Sequence, residues 1–277
     1  MRLSPKTLIA GTVAAAVIAV VPAAGATTYS TGGSTGMQVV ASALAQAYSQ
    51  KTSGKVRFTV AGGGSGAGIK GAAAGTFVIG DSSRAPASTD AKGLVFTPIT
   101  VEPFLVIVNK ANKVSSLTAD QIKGIFTGSI SNWSQVGGEN CAIKGYTRIT
   151  GSGTLDTFRN LYLGGAGISG SFAAQGSNGL VRSGVAGNKC GVGFVTYAYT
   201  VGTTLPIKAV AVGGVAGSLA NVKAGKFPYA GYQYFVTKGS PPAGDIATYV
   251  DWCRGPEGAK IISKYALPTT AEAIYNN

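Results

Sequence analysis

The sequence predicts an α/β protein of two lobes with a ligand cleft between them, and three observations carry that expectation. Short apolar strands alternate with amphipathic helical stretches, the pattern of a largely parallel sheet whose ligands gather where strands hand over to helices. Three loops of one chemistry, Gly33-Ser34-Thr35, Gly64-Ser65-Gly66 and Gly151-Ser152-Gly153-Thr154, each run into a helical stretch. These loops are spread over both halves of the chain, so a ligand touching all of them must sit between lobes. A single Gly-Ser-Gly is an ordinary turn or helix start. Three of them, with Arg148 just ahead of the last, present bare N–H groups, hydroxyls and a cation at positive helix ends, the chemistry that seats an oxyanion.

The chain opens with a basic stub containing Arg2 and Lys6, an apolar run from Leu8 to Val21, and an A-x-A ending at Ala24 and Ala26. This is the layout of a secretory signal peptide, residues 1–26, cut after Ala26. The run is short for a bilayer span, which needs about 20 apolar residues. No cysteine lies near the cut, so a soluble exported protein is expected, periplasmic or extracellular and not a lipoprotein.

Met37 to Lys51 has apolar residues at helical spacing and predicts a helix. Val56 to Val60 alternates as a strand into the second loop. A short helix, Ile69 to Ala74, and a strand, Thr76 to Ile79, lead into GDSSRAP. Pro103 to Asn109 is an apolar strand and a passage into a second lobe. Thr118 and Gln121 form a capping box ahead of a helix at Ala119 to Phe126. Lys144 to Ile149 is a strand that delivers Arg148 into the third loop. Val192 to Tyr197 and Gln233 to Thr237 are further strands, and Ala243 to Trp252 and Pro256 to Tyr265 the last helices. The expected lobes are residues 27–103 with 232–277, and residues 104–231.

Composition narrows the function. The roughly 250 residues after the signal suffice for one large domain or two modest lobes. The chain has no histidine, which removes the usual general base, Ser-His nucleophiles and most zinc sites. Its ten carboxylates form no close acidic pair or calcium loop, so neither a catalytic residue, a metal site nor a cofactor is expected. A binding protein fits better than an enzyme. The net charge of +13 falls to +11 when Arg2 and Lys6 leave with the signal. That excess is either a generally basic exported surface or a field serving anion capture. No basic run is interleaved with aromatics, so nucleic acid is not an expected partner. In an exported chain disulfides are allowed; Cys141 and Cys190 lie in polar loop-like stretches and are the expected pair, leaving Cys253 as a buried free thiol in a helix.

The motifs together resemble the phosphate-binding receptors of ABC importers, the PstS-like periplasmic binding proteins. The most specific match is LTADQIKGIFTGSISNWSQVGG, Leu117 to Gly138. GGGSGAGIK, GDSSRAP, TRITGSGTLDTF, GVGFVTYAY and DWCRGPEGAKII follow the family's order, so the resemblance covers essentially the whole mature chain. It implies a two-lobed type II periplasmic binding protein fold, inorganic phosphate as ligand, an ABC permease as membrane partner, and a monomer. Carried over by motif, the implied ligand contacts are Ser34, Thr35, Ser65, Ser83, Arg84, Arg148, Ser152, Gly153 and Thr154.

Two positions depart from the family pattern. Many members place an aspartate where this chain has Ser83, a carboxylate that accepts the proton of hydrogen phosphate. Many also have an acidic residue where this chain has Thr150, holding the arginine. Asp81 either substitutes for the first or caps a turn. The alternatives to phosphate import are therefore a receptor for another tetrahedral oxyanion, sulfate or arsenate, and an extracellular phosphate scavenger or surface protein without a dedicated permease.

Overall fold

The structure, a computed structural model, describes residues 25–241 and 243–269. The expected signal peptide lies almost wholly outside the described residues. From Thr27 the chain forms β1 (Thr27–Gly33), α1 (Gln38–Lys51), β2 (Val56–Ala61), α2 (Ser65–Ala74) and β3 (Ile79–Ser82). The long β4 (Leu94–Asn109) leads to β5 (Ser116–Leu117), α3 (Ala119–Thr127), a 3-10 turn at Trp133–Val136, β6 (Lys144–Arg148), α4 (Gly153–Leu163), β7 (Ala173–Gln175), α5 (Asn178–Ala186) and β8 (Gly191–Thr196). A second 3-10 turn (Tyr197–Tyr199) precedes β9 (Ile207–Ala209), β10 (Ala211–Val212), α6 (Leu219–Lys223), β11 (Ala230–Lys238), α7 (Asp245–Arg254), α8 (Pro256–Ile262) and β12 (Leu267–Pro268).

One curled sheet runs in the order β2-β1-β3-β11-β4-β8-β6-β7, with β9 and β12 also paired to β4. Its wings are parallel, β1 with β2 and β3 on one side and β6 with β7 and β8 on the other. Its centre is antiparallel, which corrects the expectation of a largely parallel sheet. The reason lies in β4. Nine of its first ten residues, all but Ile99, pair with β11, and the stretch from Phe104 to Val108 pairs with β8. The strand thus carries the chain from one half to the other, and β11 returns with Ala230 opposite Pro103.

Each half has its own core, as two lobes require. In the first, α1, α7 and α8 cover the sheet with Leu44, Tyr48, Phe58, Phe235 and Tyr249, and the Phe58 and Tyr249 rings stack at 3.9 Å. In the second, Phe126, Phe158 and Phe194 pack together, the last two stacked at 4.1 Å. The capping box forms as expected: Gln121 N–H donates to Thr118 Oγ1 (3.1 Å) and Thr118 N–H donates to Gln121 Oε1 (2.9 Å). The third strand lies at Ile79–Ser82 rather than Thr76 to Ile79, because pairing with β1 begins at Thr31 opposite Ile79. The second helix starts at Ser65, four residues before the expected Ile69, so Ser65 and Gly66 lie in its first turn.

Cys141 and Cys190 are joined, with Cα atoms 6.2 Å apart, and Trp133 Nε1–H donates to Cys190 O (2.9 Å) on the same side of the second lobe. Cys253 is a buried free thiol in α7. Asp81 takes neither of the two roles its sequence position offers. Its carboxylate is fully buried and unpartnered within the first lobe, near Tyr249 and Cys253, whose pKa values are raised chiefly by burial and further by Asp81.

Burial raises the Asp81 pKa to about 8, whereas an unfolded aspartate ionises near about 3.9. Between those values the folded chain holds a proton that the unfolded chain has lost, so stability falls as pH rises from about 4 to about 8. Asp81→Asn is expected to flatten that decline in the unfolding midpoint; an unchanged slope refutes the assignment. Glu102, also raised to about 8 by burial, leaves a residual slope. Replacing Cys141 and Cys190 together by serine is expected to cost roughly 2–4 kcal/mol in denaturant unfolding, given a closed loop spanning 49 positions.

Candidate anion-binding site

The first loop follows β1 at a point only glycine allows. Gly33 has φ +137°, and a Cβ there would meet Gly68 Cα at 2.6 Å. The turn places Ser34 and Thr35 between the lobes, both buried. Ser34 N–H donates to Asp81 O (2.8 Å), so Asp81 supports the site through its backbone. Ser34 Oγ accepts from Gly36 N–H (3.1 Å) and is hydrogen-bonded to the Ser83 hydroxyl.

The second loop supplies Ser65 at the start of α2, whose Oγ accepts from Ser83 N–H (2.9 Å). It touches the third loop directly, Gly66 N–H donating to Gly151 O (3.0 Å). Ser152 caps α4, accepting from Leu155 N–H (3.3 Å). Gly153 faces Ser65 so closely that a Cβ would collide with the Ser65 hydroxyl.

Arg148 ends β6 and is only 2% exposed. Its Nε–H donates to Gln175 O (3.1 Å) and its Nη2–H to Gly176 O (3.0 Å). These backbone carbonyls hold the guanidinium plane in a chain that has Thr150 in place of an acid. Nη1 then points at Asn178, the first residue of α5. With the Asn178 amide oriented to satisfy its neighbours, Oδ1 accepts from Arg148 Nη1 (2.7 Å) and from Gly36 N, Thr35 Oγ1 and Thr154 Oγ1 (3.1 Å each). Four donors from both lobes thus converge on one neutral oxygen. Burial lowers the Arg148 pKa to about 10, so it stays a cation at neutral pH. No carboxylate pairs with it in an ion pair among the described residues.

Of the nine residues expected to contact a ligand, the structure brings eight together: Ser34, Thr35, Ser65, Ser83, Arg148, Ser152, Gly153 and Thr154. Arg84 is placed differently. Asp90 grips its guanidinium with two bonds (2.8 and 2.6 Å), and Asp156 lies 3.7 Å away. That side chain lines a groove outside the cradle together with Pro86, Asn160 and Tyr234. The acidic partner six residues downstream satisfies the charge locally, which takes it out of the cradle.

Asn178 and Gln233 were not expected. Gln233, on β11, is fully buried and accepts from the Ser83 hydroxyl. Asn178 carried a readable signal, because Gly176-Ser177 opens α5 as a fourth Gly-Ser helix start, with Ser177 Oγ accepting from Leu180 N–H (3.1 Å). Gln233 had none, since it reaches the site only through strand pairing.

A buried arginine without an acid, ringed by hydroxyls and helix N-termini, suits a small anion rich in oxygen. Comparison with known proteins agrees in class. The profile described as a PBP superfamily domain matches residues 21–257. The chain belongs to that superfamily. Within it the chain stands with the PstS-like proteins: it is 31% identical over 206 residues to the phosphate-binding protein PstS of Bacillus subtilis, covering 73% of this chain and 67% of that one. A crystal structure from Clostridium perfringens with bound phosphate superposes with a TM-score of 0.82 at 28% identity, over 88% of this chain and all of that one. An ABC-type phosphate transport receptor from Vibrio cholerae shares the fold at a TM-score of 0.68 and 24% identity, over 86% of this chain and 98% of that one.

The Gly153 contact makes the cradle sensitive to a single methyl group. Gly153→Ala is expected to push the second and third loops apart and weaken oxyanion binding about tenfold or more, or ~1.4 kcal/mol, measured by calorimetry. Unaltered affinity would place the anion elsewhere.

Proposed function

We propose that the protein is an exported receptor that captures inorganic phosphate between its lobes and passes it to an ABC permease, performing no chemistry itself. The observation that supports this most is Arg148: a buried cation, pinned by two backbone carbonyls, whose remaining nitrogen is one of four donors that converge on a neutral amide oxygen. Leaving such a charge buried and uncompensated costs several kcal/mol, and a dianion in reach of Nη1 offsets that cost. Phosphate-bound relatives add weight. On this reading Ser34, Thr35, Ser65, Ser83, Arg148, Ser152, Gly153 and Thr154 form the cradle, to which Asn178 is added.

The lobes divide where the partners of β4 change, between Pro103 and Phe104, and rejoin at β11. They meet across the cradle through Gly66 N–H to Gly151 O, Thr157 Oγ1–H to Ser83 O (2.7 Å) and Thr196 Oγ1–H to Gly36 O (3.0 Å). A ligand that needs donors from both lobes stabilises this closed arrangement over an open one. The protein acts as a monomer outside the cytoplasmic membrane.

A second anion class is favoured by one observation: the cradle contains no carboxylate, since Asp81 faces the core of the first lobe. Sulfate therefore meets no carboxylate among the cradle residues. Calorimetry is expected to show phosphate binding that weakens at least 100-fold, or ~2.7 kcal/mol, in Arg148→Ala. Failure of phosphate, arsenate and sulfate alike to bind the unaltered protein sinks the receptor reading.

A further inference from the structure

Gln233 is fully buried beside the cradle, and its Nε2 has no partner. It meets Ser83 through the β3–β11 ladder, where Tyr234 lies opposite Ser82 and the next position brings Gln233 against Ser83. The same spot carries a register slip: Gln233 pairs with Thr100 and Tyr234 with Pro98, so Ile99 is skipped. Slips of this kind re-aim side chains next to binding sites.

Protons along this row can be counted. The Gln233 Oε1 only accepts, so the hydrogen in its bond with Ser83 is the Ser83 hydroxyl proton. Ser83 is also bonded to Ser34, and with its own proton committed, that bond takes its hydrogen from Ser34. Gly36 N–H donates into Ser34 Oγ from the other end, which fits Ser34 as the next donor. The chain runs one way, Ser34 to Ser83 to Gln233. Neither hydroxyl has a proton left for a ligand, and Ser83 Oγ, which already accepts from Ser34, presents its one remaining lone pair. Turning the amide over would free the Ser83 proton but leave the Gln233 carbonyl, rather than its NH₂, unpartnered beside an anion, which the anion's field disfavours.

We propose that Gln233 is a positioning residue for selectivity: by fixing the direction of the Ser34–Ser83 chain, it makes Ser83 an acceptor for a proton carried by the ligand. This rests on the oxyanion-receptor reading above. A neutral hydroxyl then does the work of a carboxylate at this position. Hydrogen phosphate and hydrogen arsenate have the O–H that Ser83 accepts. Sulfate has none at neutral pH, and one of its oxygens faces the free Ser83 lone pair unbonded.

The test is calorimetric titration of phosphate and of sulfate into the wild type, Gln233→Leu and Gln233→Glu at neutral pH, with unfolding midpoints recorded to show that each variant is folded. The wild type is expected to favour phosphate. Gln233→Leu releases the Ser83 proton and narrows the phosphate-to-sulfate ratio roughly tenfold or more, chiefly by gaining sulfate. Gln233→Glu keeps an acceptor toward Ser83, so it binds both anions more weakly but retains or widens the ratio. If Gln233→Leu does not fold, Ser83→Ala removes the accepting oxygen and is expected to narrow the ratio likewise. A purely structural role moves both affinities in parallel; an unchanged ratio in the variant, or equal phosphate and sulfate binding by the wild type, overturns the proposal. A wild type that binds no tetrahedral oxyanion overturns the receptor reading itself.

Discussion

The arrangement around the cleft depends on one buried charge. Arg148 has left water almost completely, and a guanidinium so placed needs every N–H engaged. The chain meets three of its five N–H groups: the backbone carbonyls of Gln175 and Gly176 take one each from Nε and Nη2, and the Asn178 side-chain oxygen takes one from Nη1. Those three acceptors come from one continuous stretch, the end of β7 and the start of α5. The parallel pairing of β6 with β7, Arg148 opposite Gln175, sets their distance. A carboxylate in their place would have neutralised the cation; carbonyls orient it and leave its charge for something else.

The rest of the fold brings a second lobe against that charge. Strands β4 and β11 are long because each must serve two halves, and their antiparallel pairing puts the crossing in the middle of the sheet rather than in a floppy connection. The small residues at the meeting point keep the loops close. Gly153 lies where any side chain would strike Ser65, and Gly66 donates straight to Gly151. Tyr199, whose hydroxyl donates to Thr35 O (2.7 Å), extends the contact between halves beyond the cradle.

How much of this was legible in the sequence follows from how far each feature reaches. The Gly-Ser helix starts, the capping box at Thr118 and the strand that delivers Arg148 are set by residues a few positions apart, and each could be read directly. The antiparallel centre of the sheet could not, because the spacing of β4 and β11 says nothing of their direction relative to each other. Arg84 was read as a ligand contact from its motif, yet Asp90, six residues on, claims it. Asp81 sits between Gly80, packed against α2, and Ser82, and strand alternation alone turns it into the core. Gln233 is opposite Ser83 only through a ladder joining residues 150 positions apart, with a register slip at the same place.

The convergence on Asn178 bears on how closure and capture are linked. Gly36 N and the Thr35 hydroxyl come from the first lobe, Arg148 and Thr154 from the second, and all four donate to one amide oxygen. An amide carbonyl carries only a partial charge, so it satisfies these donors without matching the full charge of Arg148. On the proposed reading an anion oxygen in the same ring is the better acceptor, and its advantage exists only while both sets of donors are present. Its binding energy therefore depends on the lobes being together, which is the differential affinity that a ligand-driven hinge requires. Asn178 keeps the donors aligned and the guanidinium fixed, so little side-chain entropy remains to be lost when an anion arrives.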